Sequence, residues 1–230
     1  MSLSRAMSMS VAVADHHGVT RLGVKSVVES MQGDVVAVAK TGIEAISVVK
    51  EHEPDLLVLS LKLPHLNGFD LLYHLQRGTM DVQVIVMTVS ESEEQARAAF
   101  QHGACGYLRK QDPLDELSRA IEAVWNGQRY LSTALPQELL ETDTCSEAAS
   151  IGDDVSLTLR ERQVMQLTAE GYTSREIGTL LEVSHRTVEK HRENIKRKLE
   201  VESLVDMVRV ALDREVMLDV RTLQPALIDG

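Results

Sequence analysis

The sequence is poor in cysteine. Its two, Cys105 and Cys145, are too few for a disulfide framework and lack the spacing of a metal site. It has no run of about 18 apolar residues, which excludes a membrane-spanning helix. The opening MSLSRAMSMS has no apolar stretch of signal-peptide length. Neither a glycine-rich phosphate loop nor a nucleophile–base pair can be read, so a stand-alone enzyme is not expected. A cytoplasmic protein follows. Positive charge is also in deficit: 24 Lys and Arg face 35 Asp and Glu, a net charge of −11.

What is present is 230 residues, 43% apolar and 26% charged, enough for two small domains with separate cores. The charge is uneven. Residues 131–154 hold six acids and no base, whereas residues 186–198 hold six basic side chains against two acids. Phosphate contacts are local and fields decay over about 8–10 Å, so an acidic body with one basic helix can still bind DNA.

Residues 1–130 alternate short apolar runs with helical stretches. Strands are predicted at 10–14, 35–39, 56–59, 84–88 and 106–108, with helices near 18–31, 41–52, 67–77, 91–102 and 113–126. Thr41 and Asp112-Pro113 supply helix starts. The pattern predicts an α/β domain with a five-stranded parallel sheet, whose ligand site lies at the carboxyl ends of the strands. There stand Asp15, His16, Ser60, Thr88 and Lys110. Residues 131–154 read as an acidic linker with one short helix around 137–141, and residues 215–230 as a tail without a pattern.

Residues 155–214 read as four helices, the second and third joined by the short turn Leu181-Glu182-Val183-Ser184. Thr158 and Glu161 have capping-box spacing. On the third helix Val188, Ile195 and Leu199 form one apolar stripe, with the stem of Arg192 at its edge. Arg186, Glu189, Lys190, Glu193 and Arg197 face the other way, with Thr187, Asn194 and Lys198 along one flank. Such a helix, crossed by another just before it, suits the DNA major groove. A solvated amphipathic helix is the alternative.

The stretch LTLRERQVMQLTAEGYTSREIGTLLEVSHRTVEKHRENIKRKLEV, residues 157–201, resembles the LuxR-type helix-turn-helix through Arg160-Glu161-Arg162, Gly171, Glu176-Ile177, Ser184, Thr187-Val188, His191, Asn194-Ile195 and Lys198-Leu199. The resemblance implies a four-helix output domain, a homodimer formed through the last helix, and double-stranded promoter DNA as partner. DNA contacts are expected from Arg186, Thr187, Lys190, Asn194 and Lys198, and a packing or backbone-bonding role from His191. Three positions depart from the family: Leu159 replaces a common proline, Glu200 a common glycine, and Glu189 a frequent base-contacting lysine.

Residues 1–126 resemble the receiver domain of two-component response regulators, of flavodoxin-like fold, so the whole chain is similar to NarL/FixJ-type regulators. That family carries an acidic pair after strand one, an aspartate phosphoryl acceptor after strand three, a Thr or Ser after strand four and a lysine after strand five. Magnesium neutralises the transferring group. Here VAVADHHG places Asp15 at the first acidic position and His16 at the second. PDLLVLSLKLPHLNG places Ser60 at the acceptor, VIVMTVS supplies Thr88, and CGYLRK supplies Lys110, with Tyr107 at the switch-aromatic position. With two of three carboxylates missing, phosphorylation at Ser60 is not expected and Mg²⁺ should bind weakly or not at all.

No metal site is expected from Asp15, His16, His17 and His65 either, because adjacent residues rarely converge on one ion. Lys110 should pair with Asp15 directly and leave the pocket satisfied without phosphate. The expected function is a DNA-binding transcription regulator acting as a dimer independently of aspartyl phosphorylation, set by protein level, a bound small molecule or a partner protein. Alternatives are a protein-interaction module, or a conventional switch using another residue. By resemblance, the receiver's dimer surface would be 91–102, 106–110 and 114–125, although Trp125 is expected to pack on its own sheet.

Overall fold

A computed structural model describes residues 9–78, 80–140 and 157–213. The first domain is a parallel sheet of order β2-β1-β3-β4-β5-β6. Its strands are β1 (Ser10–Ala14), β2 (Asp34–Ala39), β3 (Leu56–Ser60), β4 (Gln83–Thr88), β5 (Gly106–Arg109) and β6 (Tyr130–Leu131). The helices between them are α1 (Gly18–Ser30), α2 (Gly42–His52), α3 (Gly68–Arg77), α4 (Glu93–Gln101) and α5 (Leu114–Trp125).

Alternation along the strands splits the core in two. Leu57, Leu59, Val84, Val86 and Tyr107 pack with α2, α3 and α4 on one face. Leu56, Val58, Ile85, Met87 and Leu108 pack with α1 and α5 on the other. Covered on both faces, β3 is buried at all five residues, which explains its unbroken apolar run LLVLS.

The sheet has six strands, not five. Tyr130 and Leu131 extend it beyond β5, pairing with Gly106 and Tyr107. Two residues carry no periodicity, so β6 left no trace in the sequence pattern. Leu131, Leu135 and Leu139 are buried with Tyr107 in the same core cluster, and a 3₁₀ turn spans Gln137–Leu140. Residues 131–140 therefore pack on the receiver, while the rest of the expected linker and the tail from 215 lie outside the described residues. Trp125, expected to pack on its own sheet, is 43% exposed near the end of α5.

The second domain consists of α6 (Leu159–Ala169), α7 (Ser174–Leu180), α8 (His185–Leu199) and α9 (Leu204–Asp213). Thr158 and Thr173 each close a capping box, with Glu161 and Glu176. Ser184 caps α8 by accepting from the Thr187 amide. Gly171, at φ +92°, takes the left-handed turn that ends α6. The core is Val164, Leu167, Ile177, Val188, Ile195, Met207 and Ala211.

Candidate functional site

Strand register assembles the pocket at one end of the sheet. Ala14 pairs with Leu59, Ser60 with Met87, and Thr88 with Arg109. Asp15, Ser60, Thr88 and Lys110 thus sit at adjacent strand ends, with Asp15, Ser60 and Thr88 buried. Asp15 Oδ1 accepts the His17 amide at 2.8 Å and lies 3.2 Å from His17 Nδ1. Asp15 Oδ2 lies 2.6 Å from the Lys110 ammonium. His16 Nδ1 donates to the Lys62 carbonyl at 3.0 Å, and the Ser60 hydroxyl approaches the same oxygen at 3.4 Å. Burial, then the neighbouring His17, lowers the pKa of His16 below the ordinary value and so disfavours its charged form. Thr88 Oγ1 accepts the Ser90 amide at 3.2 Å.

Receivers hold magnesium with carboxylate oxygens, and this donor set does not fit it. Of the positions at the pocket, Asp15 is the one carboxylate, it is already paired with Lys110, and imidazole is a poor ligand for a hard ion. Asp55, the nearest acidic residue before β3, stands at the opposite end of the strand. It binds the Ser10 amide and hydroxyl at 2.8 and 2.5 Å and so fastens β1 to β3. Tyr107 is fully buried.

The third helix of the output domain presents Arg186 and Lys190 outward, with Thr187 and Asn194 half-buried beside them. The Thr187 hydroxyl lies 2.8 Å from that of Ser184, and Asn194 Oδ1 accepts from Arg197 at 3.3 Å. Lys198 differs from the other four expected DNA contacts: its ammonium lies 2.7 Å from Glu161 on α6. Glu189 is held within the domain by Ser174 and by Arg192, which neutralises a carboxylate that would otherwise confront phosphate.

Arg192 lies where its stem was expected, at the edge of the apolar stripe. It is buried, donating to Thr168 Oγ1 at 3.1 Å, Ser174 Oγ at 2.5 Å and the Tyr172 carbonyl at 3.1 Å. Its guanidinium pins α8 to α6 and the start of α7. Its i, i+4 spacing from Val188 was the available signal. His191 Nδ1 is buried and takes no hydrogen bond, so no backbone bond accompanies its packing.

The two domains touch through the loop that follows β3. Gln166 on α6 is fully buried; its Oε1 accepts the Asn67 amide at 2.8 Å and its Nε2 donates to the Leu63 carbonyl at 2.9 Å. Glu170 accepts the His65 amide at 3.0 Å, Tyr172 meets the His65 ring at 3.1 Å, and Arg162 lies 3.4 Å from Asp70. His65 therefore belongs to this joint and not to a metal cluster with Asp15. Leu159, where the family commonly has proline, packs against the receiver core. Sequence reading found none of these pairings, because their partners lie about a hundred residues apart.

Comparison with known proteins agrees with this architecture. Residues 11–122 match the response regulator receiver domain, and residues 155–211 match the bacterial regulatory proteins of the luxR family. The oxygen regulatory protein NreC of Staphylococcus epidermidis is 32% identical over 216 residues, spanning 91% of this chain and 99% of that one. A two-component response regulator of the LuxR family from Aurantimonas is 30% identical with a TM-score of 0.55, covering 58% of this chain and 96% of that one. The response regulator RcsB, solved with DNA, shares the fold at 23% identity and a TM-score of 0.53, covering 88% of this chain and 96% of that one. Regulators of this type are DNA-binding transcription factors and not enzymes. The chain belongs to the NarL/FixJ-type response regulators, a receiver domain followed by a LuxR-type helix-turn-helix DNA-binding domain.

Proposed function

We propose that this regulator occupies promoter DNA as a dimer without aspartyl phosphorylation of its receiver. The observation that carries the reading is the Asp15–Lys110 pair at 2.6 Å beside a serine at the acceptor position. The lysine that would meet a phosphoryl group is already neutralised, and the side chain that would receive the group has no carboxylate. The exposed Arg186 and Lys190 support DNA engagement by α8, as does the RcsB–DNA structure of a protein with the same fold. The joint uses α6 and the turn after it, so the receiver need not leave for the reading helix to be reached.

Dimerisation through α9 is supported by Leu204 and Val205, which are 42% and 66% exposed while Met207 and Ala211 face the core. The test is binding of the untreated chain to promoter fragments. Retarded complexes should form without any phosphoryl donor, and Val205→Glu should weaken them together with dimerisation in sedimentation. Only weak, salt-labile, sequence-blind binding would instead favour a protein-interaction role for the chain.

A further inference from the structure

Three consecutive residues on a strand alternate sides, yet Asp15, His16 and His17 each bring a ligand atom within 4.8 Å of the other two. The chain leaves β1 at Ala14 and turns to begin α1, with His17 as its N-terminal cap residue. That turn brings the two imidazoles onto one side, their ring centroids 3.7 Å apart. His16 Nδ1 and His17 Nδ1 lie 3.9 and 3.2 Å from Asp15 Oδ1. The Lys62 carbonyl, 3.0 Å from His16 Nδ1, adds an oxygen beside that imidazole. The expectation that neighbours would not converge is thereby reversed.

We propose that this cluster binds a borderline divalent cation of the zinc or nickel kind, held by Asp15 Oδ1, the His16 and His17 imidazoles and the Lys62 carbonyl. Two nitrogens and two oxygens suit such ions far better than magnesium, which seeks octahedral oxygen ligation. The ion takes the place of the proton that now bridges His16 Nδ1 and the Lys62 carbonyl, and that proton moves to Nε2. The His17 side chain is 53% exposed, which leaves an approach from solvent.

A competing cation is built in. The Lys110 ammonium lies 2.6 Å from Asp15 Oδ2 and 3.4 Å from His17 Nδ1. Ion binding must push it aside, so the same substitution pattern that disables phosphoryl transfer couples metal occupancy to the position of this lysine. The Lys110 amide donates to the Thr88 carbonyl at 2.6 Å, so only the side chain need swing.

The test is competition of the untagged full-length chain with a chromophoric chelator for Zn²⁺ and for Ni²⁺. A single ion should bind per chain and resist millimolar Mg²⁺. His16→Ala and His17→Ala should each weaken binding about tenfold or more, and Lys110→Met should tighten it, because a repelling charge is gone. Binding that survives in the His16→Ala, His17→Ala double variant would place the ion elsewhere and overturn the proposal. So would displacement by Mg²⁺, weaker binding in Lys110→Met, or no binding at all. The inference rests on the pocket described above but is read separately: a chain that takes neither metal nor phosphoryl group loses this proposal and keeps the other.

Discussion

Asp15 and Lys110 settle the electrostatics of the pocket between themselves. In a receiver with a full acidic set, clustered carboxylates repel one another and need metal or protons for relief. Here the second acidic position holds His16, whose imidazole donates to a backbone carbonyl, and the acceptor position holds Ser60. On the proposed reading, phosphoryl transfer requires both changes. Ser60→Asp with His16→Asp should accept a phosphoryl group from acetyl phosphate in the presence of Mg²⁺, gaining the corresponding mass. Ser60→Asp alone should not, because the hard-oxygen ligand set stays incomplete; phosphorylation of the single variant would show His16 to be irrelevant.

Glu161 gives a second test at this scale. Burial alone would raise its pKa, but hydrogen bonds from Lys198 and from the Thr158 amide and hydroxyl outweigh burial and hold it below the ordinary 4.5. A depressed carboxylate contributes stability that is present above the unfolded value and lost as pH falls through the folded one. Glu161→Gln should thus cost about 1–2 kcal/mol at neutral pH, with the gap narrowing below about pH 4. Urea unfolding at pH 7 and at low pH measures this; a gap independent of pH would remove the charge from the explanation.

At the scale of the element, α8 separates its duties by face. Val188, Arg192 and Ile195 are buried, and Arg186 and Lys190 are exposed. Lys190→Ala should lower DNA affinity and, if the ammonium meets phosphate, reduce the slope of log affinity against log salt by about one. Affinity and slope both unchanged would take Lys190 out of the interface. The helix ends at Glu200 in the left-handed region, φ 55°, where the family commonly has glycine.

Much of this was legible in the chain. The apolar runs found β1, β3, β4 and β5, and Ser184 and Thr158 marked helix starts, because burial on both faces and capping each leave local residue patterns. What failed was non-local. Tyr130–Leu131 form a strand only because β5 offers them an edge, and the acceptors that hold the Arg192 guanidinium, on Thr168, Ser174 and Tyr172, lie 18 to 24 residues away along the chain.

For the whole molecule, the loop after β3 links pocket and output domain. Ser60 ends the strand, Lys62 accepts from His16, and Leu63, His65 and Asn67 bond α6 and the residues after it. Gly68 holds this loop tight, since a Cβ there would come within 2.6 Å of the Ser60 carbonyl. A change at residue 60 would have a short mechanical path to the second domain. On the proposed reading that path is not driven by phosphorylation, because Lys110 already pairs with Asp15.

The most direct measurement is promoter affinity of the full-length chain before and after incubation with acetyl phosphate and Mg²⁺, with intact mass recorded on the same samples. Mass and affinity should both stay unchanged. A Mg²⁺-dependent gain of one phosphoryl group accompanied by a shift in affinity would contradict this.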